Sequence, residues 1–160
     1  MLSFRKTTSE DLDAVLRMEQ KFSTFVGQWT RGEHEAALYD PCTAHLSFYD
    51  DEAPLLGYAI LRSIHQSNRS IELMRIAIDC PGEGYGKQAL RLILRWCFEE
   101  QNAHRVWLDV RSANTRAQHV YKTMGFIPEG TLRDAVYVNG AFESLMVLSI
   151  LEGEYRRQSL

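Results

Sequence analysis

The sequence predicts an α/β fold, in which a mixed β-sheet is flanked by helices within a single domain spanning residues 1–160. Three observations support this fold class. The length of 160 residues suits one domain with one hydrophobic core. Segments with apolar residues at every second position alternate with segments in which apolar residues recur every three or four positions. The segment from Ile71 to Val110 has the strand–helix–strand order of a right-handed parallel crossover.

The first half of the chain is predicted to contain two helices and three strands. Thr8 or Ser9 caps the first helix, whose first turn is acidic. Thr30 and Glu33 have the spacing of a capping box, so we expect a second helix from Thr30 to about Asp40, which precedes a proline. The strands are expected at residues 2–7, 44–49 and 55–63, and the last two form a hairpin.

The second half is predicted to contain two helices and four strands. The first of these helices spans about residues 84–101, with a buried face at Ala89, Leu90, Ile93, Trp96 and Cys97. The next begins at the N-cap Asn114 and ends at Gly125. The strands are expected at residues 70–78, 105–110, 126–138 and 141–151. Asn139-Gly140 is typical of a type I′ turn between the last two.

Composition narrows the possible partners. The formal net charge of −3 provides no basic surface of the kind that binds nucleic acid. No apolar run approaches the ~18 residues of a transmembrane helix, and the N-terminus lacks an apolar signal core, so we expect a cytoplasmic protein without a membrane partner. Three cysteines without CxxC spacing and five histidines without HxxxH spacing indicate neither a disulfide framework nor a metal site.

A glycine-rich turn joins the fourth predicted strand, residues 70–78, to the helix that follows it. The stretch IAIDCPGEGYGKQAL, residues 76–90, places Gly82, Gly84 and Gly86 immediately before an amphipathic segment. Bare backbone N–H groups at a helix N-terminus favour an anion. Gln88 follows Lys87, which excludes a Walker A loop, and a dinucleotide fingerprint lacks its third glycine. From this loop alone, a tight turn without any ligand is an equal alternative.

A second motif makes the sequence resemble a known family. Asn114, Ala117, Tyr121, Gly125 and Phe126 match the pattern N-x-x-A-x-x-x-Y-x-x-x-G-F, and residues 129–140 read EGTLRDAVYVNG. Together with the glycine turn, these features resemble the GCN5-related N-acetyltransferase family, in its bacterial branch of ribosomal-protein N-terminal and spermidine acetyltransferases. The resemblance implies a mostly antiparallel sheet with a central, splayed parallel strand pair. Pro81 departs from the family pattern, which has Arg or Gln there to contact the pyrophosphate.

The resemblance also implies the cosubstrate and its contacts. The anion would be the pyrophosphate of acetyl-coenzyme A, and its pantetheine arm would pair with a strand edge. The residues expected to bind it are Ile76, Ala77, Ile78, Gly84, Tyr85, Gly86, Lys87 and Asn114. Asn114 could equally be a plain helix N-cap.

Tyr121 and Glu72 are the catalytic candidates. By resemblance, Tyr121 is the hydrogen-bond donor to the coenzyme A sulfur, although helical spacing alone would place it in the core. Glu72 alternates with Ile71 and Leu73, and could accept the proton of the amine or be a simple exposed carboxylate. Asp109, on an apolar strand, is more often a structural residue.

These expectations describe an acetyl-coenzyme A-dependent N-acetyltransferase acting on a primary amine. The acceptor could be a peptide or protein N-terminus or a small amine such as a polyamine. Trp29, Glu33 and Tyr137 could line its pocket. The alternative is a non-catalytic acyl-coenzyme A sensor that retains the binding cleft. Branch members often self-associate, so a homodimer is also expected.

Overall fold

The computed structural model describes all residues except Phe25, Glu52, Ala53, Cys80, Pro81, Glu83, Ser159 and Leu160. Seven strands form the sheet: β1 (Ser3–Lys6), β2 (Thr43–Tyr49), β3 (Gly57–Arg62), β4 (Ser70–Ile78), β5 (Arg105–Arg111), β6 (Ile127–Val138) and β7 (Ala141–Leu151). The helices of the described chain are α1 (Leu12–Lys21), α2 (Arg31–Tyr39), α3 (Tyr85–Arg95), α4 (Thr115–Thr123) and α5 (Glu152–Gln158).

The seven strands form one sheet in the order β1-β2-β3-β4-β5-β7-β6. All neighbouring strands are antiparallel except β4 and β5, which are parallel. Within the described chain, that parallel ladder comprises only the pairs Ser70–Arg105, Ile71–Val106 and Glu72–Trp107. Beyond these pairs the two strands separate, and this confirms the mixed sheet with a splayed central parallel pair.

Helices cover both faces of the sheet because each presents one apolar stripe to it. On one face, α3 buries Ala89, Leu90, Ile93 and Leu94 in the main core, which also contains Leu73 of β4 and Leu108 of β5. On the other face, Val15 and Met18 of α1 pack on Tyr58 and Ile60 of β3. Helices α3 and α1 therefore lie on opposite faces of the sheet.

A β-bulge interrupts the pairing of β4 with β3. Ile60 pairs with Arg75 and Leu61 pairs with Leu73, so Met74 is the extra residue of β4. An apolar alternation pattern could not reveal this shift. The bulge lies where the parallel ladder with β5 has just ended, so β4 changes direction at the opening of the splay.

Most local predictions are confirmed. The Thr30 hydroxyl accepts a hydrogen bond from the Glu33 N–H at 3.2 Å, and Asn139 and Gly140 have φ values of 50° and 83°. The expected single helix from about residue 84 to 101 is wrong at its end, because α3 stops at Arg95 and a π-helical turn follows over Trp96–Glu100. The short helix α5 was not predicted. Each helix of the described ranges is too short or too polar to serve as a membrane span.

Candidate active site

A cavity of about 740 Å³ lies where β4 and β5 separate. Its walls come from the second half of β4, the start of α3, the inner face of α4 and the segment between α1 and α2. The lining residues are Lys21, Phe22, Thr24, Val26, Ile76, Ala77, Ile78, Gly82, Gly84, Tyr85, Gly86, Lys87, Leu90, Asn114, Arg116, Ala117, Val120 and Tyr121. All eight expected cofactor-contacting residues thus border one cavity.

The glycine turn forms one end of this cavity. Gly82 and Gly84 have φ values of 87° and 73°, in the left-handed region that favours glycine. A Cβ added at Gly82, Gly84 or Gly86 would meet no atom within 4 Å, so the backbone faces open space. Gly84 is the N-cap of α3 without a side-chain cap, and the first turn of α3 contains no acidic residue. This end of the cavity therefore suits an anion.

The departure from the family pattern at Pro81 lies outside the described residues, as does Cys80. Tyr85 is anchored beside the turn, where its hydroxyl donates a hydrogen bond to Asp50 at 2.5 Å.

The strand edge at residues 76–78 borders the middle of the cavity. On one side, Ile76, Ala77 and Ile78 pair with β3. On the other side, the described part of β5 forms no pairs with them, because the parallel ladder ends at Glu72. Backbone N–H and C=O groups on this edge are therefore available to the amides of an extended ligand, as in strand addition.

Asn114 is the N-cap of α4 and lies at the edge of the cavity. Its side-chain oxygen accepts a hydrogen bond from the Ala117 N–H at 3.2 Å, so it caps α4. It also borders the cavity beside Ala117. Asn114 therefore both fixes the start of α4 and lies next to any ligand in the cleft.

Tyr121 is partly buried on α4 and borders the cavity. Its ring packs against Phe126 with centroids 5.8 Å apart. No described residue hydrogen-bonds its hydroxyl. Burial, and secondarily the charge of Asp109, raise the pKa of Tyr121 to about 12. The hydroxyl is therefore protonated at neutral pH and can donate a hydrogen bond into the cleft.

Glu72 lies outside the cavity wall. Both of its carboxylate oxygens accept hydrogen bonds from Arg62, at 3.1 and 3.0 Å, so it forms a bidentate ion pair. Its neighbour across the splay is Asp109 of β5, whose charge interacts with that of Glu72.

Asp109 is a functional candidate that the sequence pattern assigned to a structural role. It is accessible to solvent and has no ion-pair partner among the described residues. Partial burial, followed by the charge of Glu72, raises the pKa of Asp109, against the opposing charge of Arg62. The sequence did contain a pattern that could have identified Asp109 as a candidate. Val106, Leu108 and Val110 alternate along β5 and are buried, so Asp109 must face the opposite side of the sheet.

The three residues expected to line an acceptor pocket do not border the cavity. Trp29 stacks against the Arg75 guanidinium at 5.2 Å, and Glu33 belongs to the α2 capping box. Tyr137 is 66% exposed at the β6–β7 hairpin, where its ring lies 4.9 Å from that of Phe142. Phe22, Thr24 and Val26 of the α1–α2 segment border the cavity instead. The described chain brings no three His, Cys, Asp or Glu side chains together as a metal site.

The splayed sheet, the glycine turn and Tyr121 thus border one cavity, and the comparison with known families identifies the class of protein. The model of the acetyltransferase (GNAT) family matches residues 12–126, and the chain belongs to this family. It is an N-acetyltransferase, a class of enzymes that transfer an acetyl group to an amine and use acetyl-coenzyme A as cosubstrate.

Particular relatives point to two kinds of amine. The chain is 28% identical over 123 residues to spermidine N(1)-acetyltransferase of Vibrio cholerae, across 76% of this chain and 71% of that protein. It is 28% identical over 148 residues to a putative [ribosomal protein bS18]-alanine N-acetyltransferase of Bacillus subtilis, across 92% and 95% of the two chains. A mutant spermidine/spermine N-acetyltransferase from Vibrio cholerae has the same fold, with a TM-score of 0.88 at 23% identity over 99% of this chain and 98% of that one.

Proposed function

We propose that this enzyme binds acetyl-coenzyme A in the β4–β5 cleft and acetylates a primary amine that carries a single positive charge. The observation that carries the proposal is the continuous cavity from the glycine turn to Tyr121. It combines an anion-binding end, an open strand edge and a protonated donor in one space. A sensor module would need only the first two.

The residues of the cleft fit the cosubstrate in order along its length. The N–H groups of the glycine turn and α3 would receive the pyrophosphate, and the edge at Ile76–Ile78 would receive the pantetheine amides. When bound, acetyl-coenzyme A supplies the activated thioester. Lys87 and Asn114 border the same path.

Tyr121 would act as the acid of the reaction. Its hydroxyl keeps its proton at neutral pH because its pKa is raised to about 12. A donor held in a partly desolvated cleft stabilises negative charge that develops on a leaving group. Packing against Phe126 fixes the ring, so little reorganisation is needed.

Asp109 would accept the proton of the incoming ammonium, a role that the sequence pattern suggested for Glu72. The Asp109 carboxylate lacks a basic partner among the described residues, whereas Arg62 engages both oxygens of Glu72. The charge of Glu72 helps to raise the pKa of Asp109, which makes Asp109 a better proton acceptor. The charge of Asp109 also acts on Tyr121, although Asp109, like Glu72, lies outside the cavity wall.

The charge balance around the cleft supports the choice of amine. Four carboxylates of the described chain face a basic partner, namely Glu72 with Arg62, Glu143 with Arg111, Glu19 with Arg75, and Asp79 with Lys21, whereas Asp109 has none. A polyamine carries several ammonium groups and requires several free carboxylates. One unpaired carboxylate beside arginine donors instead suits an amine followed by carbonyl groups, as in a peptide N-terminus.

The test is an acceptor panel with acetyl-coenzyme A in which released thiol is measured. The panel contains a short peptide with a free N-terminal alanine, the same peptide with that amine blocked, and spermidine. We expect thiol release with the free peptide, background release with the blocked peptide, and a lower kcat/KM with spermidine. Preference for spermidine would contradict the single-charge proposal. Acetyl-coenzyme A binding in calorimetry without turnover on any amine would favour the sensor.

We also propose that the enzyme self-associates. One solved structure of the Vibrio cholerae enzyme is dodecameric. In this chain the hairpin residues Tyr137 and Phe142 are 66% and 64% exposed, an apolar pair that a second copy could cover. Light scattering should report a mass above 18.4 kDa at micromolar concentration, and a single 18.4 kDa species would contradict self-association.

A further inference from the structure

A chain of buried polar groups lies beneath α1 and α2, outside the reaction scheme. Glu19 of α1, His34 of α2 and His45 of β2 are all at most 1% exposed. The Glu19 carboxylate lies 2.6 Å from His34 Nε2, and His34 Nδ1 lies 3.0 Å from His45 Nε2. His45 Nδ1 lies 2.8 Å from the Thr7 hydroxyl. Three elements of the fold therefore meet through one line of hydrogen bonds.

The Glu19 carboxylate anchors this line in its ionised form. Burial alone would raise the pKa of Glu19, but the hydrogen bond and charge of His34, together with the charge of Arg75, lower it. The ionised Glu19 accepts a hydrogen bond from His34 Nε2–H. The contacts of His34 Nδ1 with His45 Nε2 and of His45 Nδ1 with Thr7 continue the line. Every ring nitrogen thereby has one partner.

Arg75 of β4 closes the other end of the line. Its guanidinium Nη1 donates to Glu19 Oε2 at 2.6 Å, and its side chain is 9% exposed. The Trp29 ring stacks on the same guanidinium, and the backbone N–H of Trp29 donates a hydrogen bond to Glu19 Oε1 at 3.3 Å. A Cβ at Gly27 would lie 2.8 Å from Arg75 Nη2, so the backbone presses against this group. The carboxylate thus joins β4 to residues 27–29.

Stability alone does not account for such an arrangement. Replacing a buried ion pair with well-packed apolar side chains is often neutral or stabilising, because both charges must be desolvated. The position of the network indicates another role. Arg75 lies between the Met74 bulge and Ile76, the first residue of the open edge. The segment that Glu19 fixes also contributes Phe22, Thr24 and Val26 to the cavity wall.

We propose that Glu19 and His34 are positioning residues that act through Arg75 and Trp29 to hold residues 22–24 and 26–30, the described part of the α1–α2 segment, as the acceptor wall of the cleft. This inference rests on the proposed function for the identity of that wall. The segment is also tied across the splay, since Arg111 Nη1 donates to the Thr24 carbonyl at 2.5 Å. Glu19 therefore fixes the segment to β4, while Arg111 fixes it to β5.

The first test variant is Glu19→Gln, which keeps the volume and the bond from His34 but removes the counterion of Arg75. A second variant, Glu19→Gln with Arg75→Met, leaves no uncompensated buried charge and is expected to fold even where the first does not. Asp13→Asn is the matched control, because Asp13 is an exposed carboxylate on the same helix whose ion pair is with Arg31.

Two measurements separate positioning from plain stability. Hydrogen–deuterium exchange of amides in residues 22–30 should accelerate about tenfold in both variants, equivalent to ~1.4 kcal/mol, with α3 unchanged. The acceptor KM should rise by about tenfold as well, while the calorimetric Kd for acetyl-coenzyme A stays within about twofold. The control should match the wild type in both measurements.

Unchanged exchange in residues 22–30 would overturn the inference whatever the acceptor proves to be. Accelerated exchange with an unchanged acceptor KM would overturn it too, because the network would then only stabilise the segment. Failure of the proposed function is a separate result, namely no thiol release by the wild type with any amine. The exchange measurement still judges the positioning role in that case.

Discussion

Acidification from pH 7 to pH 4 destabilises the protein through the buried His45, and the shift of the His45 pKa gives the size of the effect. Burial, and next the charge of His34, lower the pKa of His45 from 6.5 to about 4. Between these values the unfolded chain binds a proton at His45 and the folded chain does not, so the free energy of unfolding falls as the pH falls. The loss attributable to His45 is about 3 kcal/mol across this interval.

Four charged or ionisable groups around His45 contribute to its shifted pKa. His34 and Arg75 disfavour its protonation, whereas Glu19 and Asp11 favour it, and the lowered pKa is the balance of these effects with burial. Glu19 also has a lowered pKa, so its contribution to stability is likewise lost on acidification. That loss begins at a lower pH than the loss due to His45.

Urea unfolding at half-unit steps of pH measures this loss directly. His45→Gln retains one hydrogen-bond donor and one acceptor but cannot titrate. Between pH 6.5 and pH 4, the free energy of unfolding of this variant should therefore fall by about 3 kcal/mol less than that of the wild type. His119→Gln, at an exposed position on α4, is the matched control and should retain the full dependence. Equal pH dependence in the wild type and His45→Gln would refute the reasoning.

Three further predictions concern the cleft. Tyr121→Phe should lose roughly 10²–10⁴-fold in turnover with acetyl-coenzyme A affinity nearly unchanged, and lost affinity with turnover per bound cosubstrate intact would show a packing role. Asp109→Asn should lose about 10²-fold or more in kcat/KM, whereas Glu72→Gln should lose less; the reverse order in steady-state kinetics would restore Glu72 as the base. Gly84→Val should abolish the stabilisation of about 2.7 kcal/mol expected at a hundredfold excess of acetyl-coenzyme A over its Kd, because valine resists positive φ and would project into the cavity. Gly32→Ala, away from the cleft, should retain that thermal shift.

The parts of the fold that the sequence predicted well depend on local interactions. The Thr30 capping box, the Asn139-Gly140 turn and the glycine turn are each decided by a few adjacent residues, and the structure contains all three. The apolar stripe on α3 was similarly local. The early end of α3 was missed because the π-helical turn at Trp96–Glu100 keeps Cys97 and Phe98 buried, so its apolar spacing resembles a continued α-helix.

The assignment of the carboxylates could not be made from the sequence in the same way. Whether Glu72 is free depends on Arg62, which lies beside it only because β3 and β4 pair with a bulge between. The contact between His34 and His45 requires α2 to pack on β2, and the bond of Arg75 to Glu19 joins residues far apart in sequence. Such contacts follow from the assembled sheet, not from any local pattern.

The short ladder between β4 and β5 has a mechanical consequence. In the described chain, three residue pairs join the wing made of β1–β4 to the wing made of β5, β7 and β6 through backbone hydrogen bonding. In the binding mode proposed above, a ligand arm along Ile76–Ile78 would fill the gap as an additional strand would, and the bound cosubstrate would then be part of the scaffold. Each catalytic cycle would begin by completing the sheet and end by reopening it, while the pairs between residues 70–72 and 105–107 hold the two wings together.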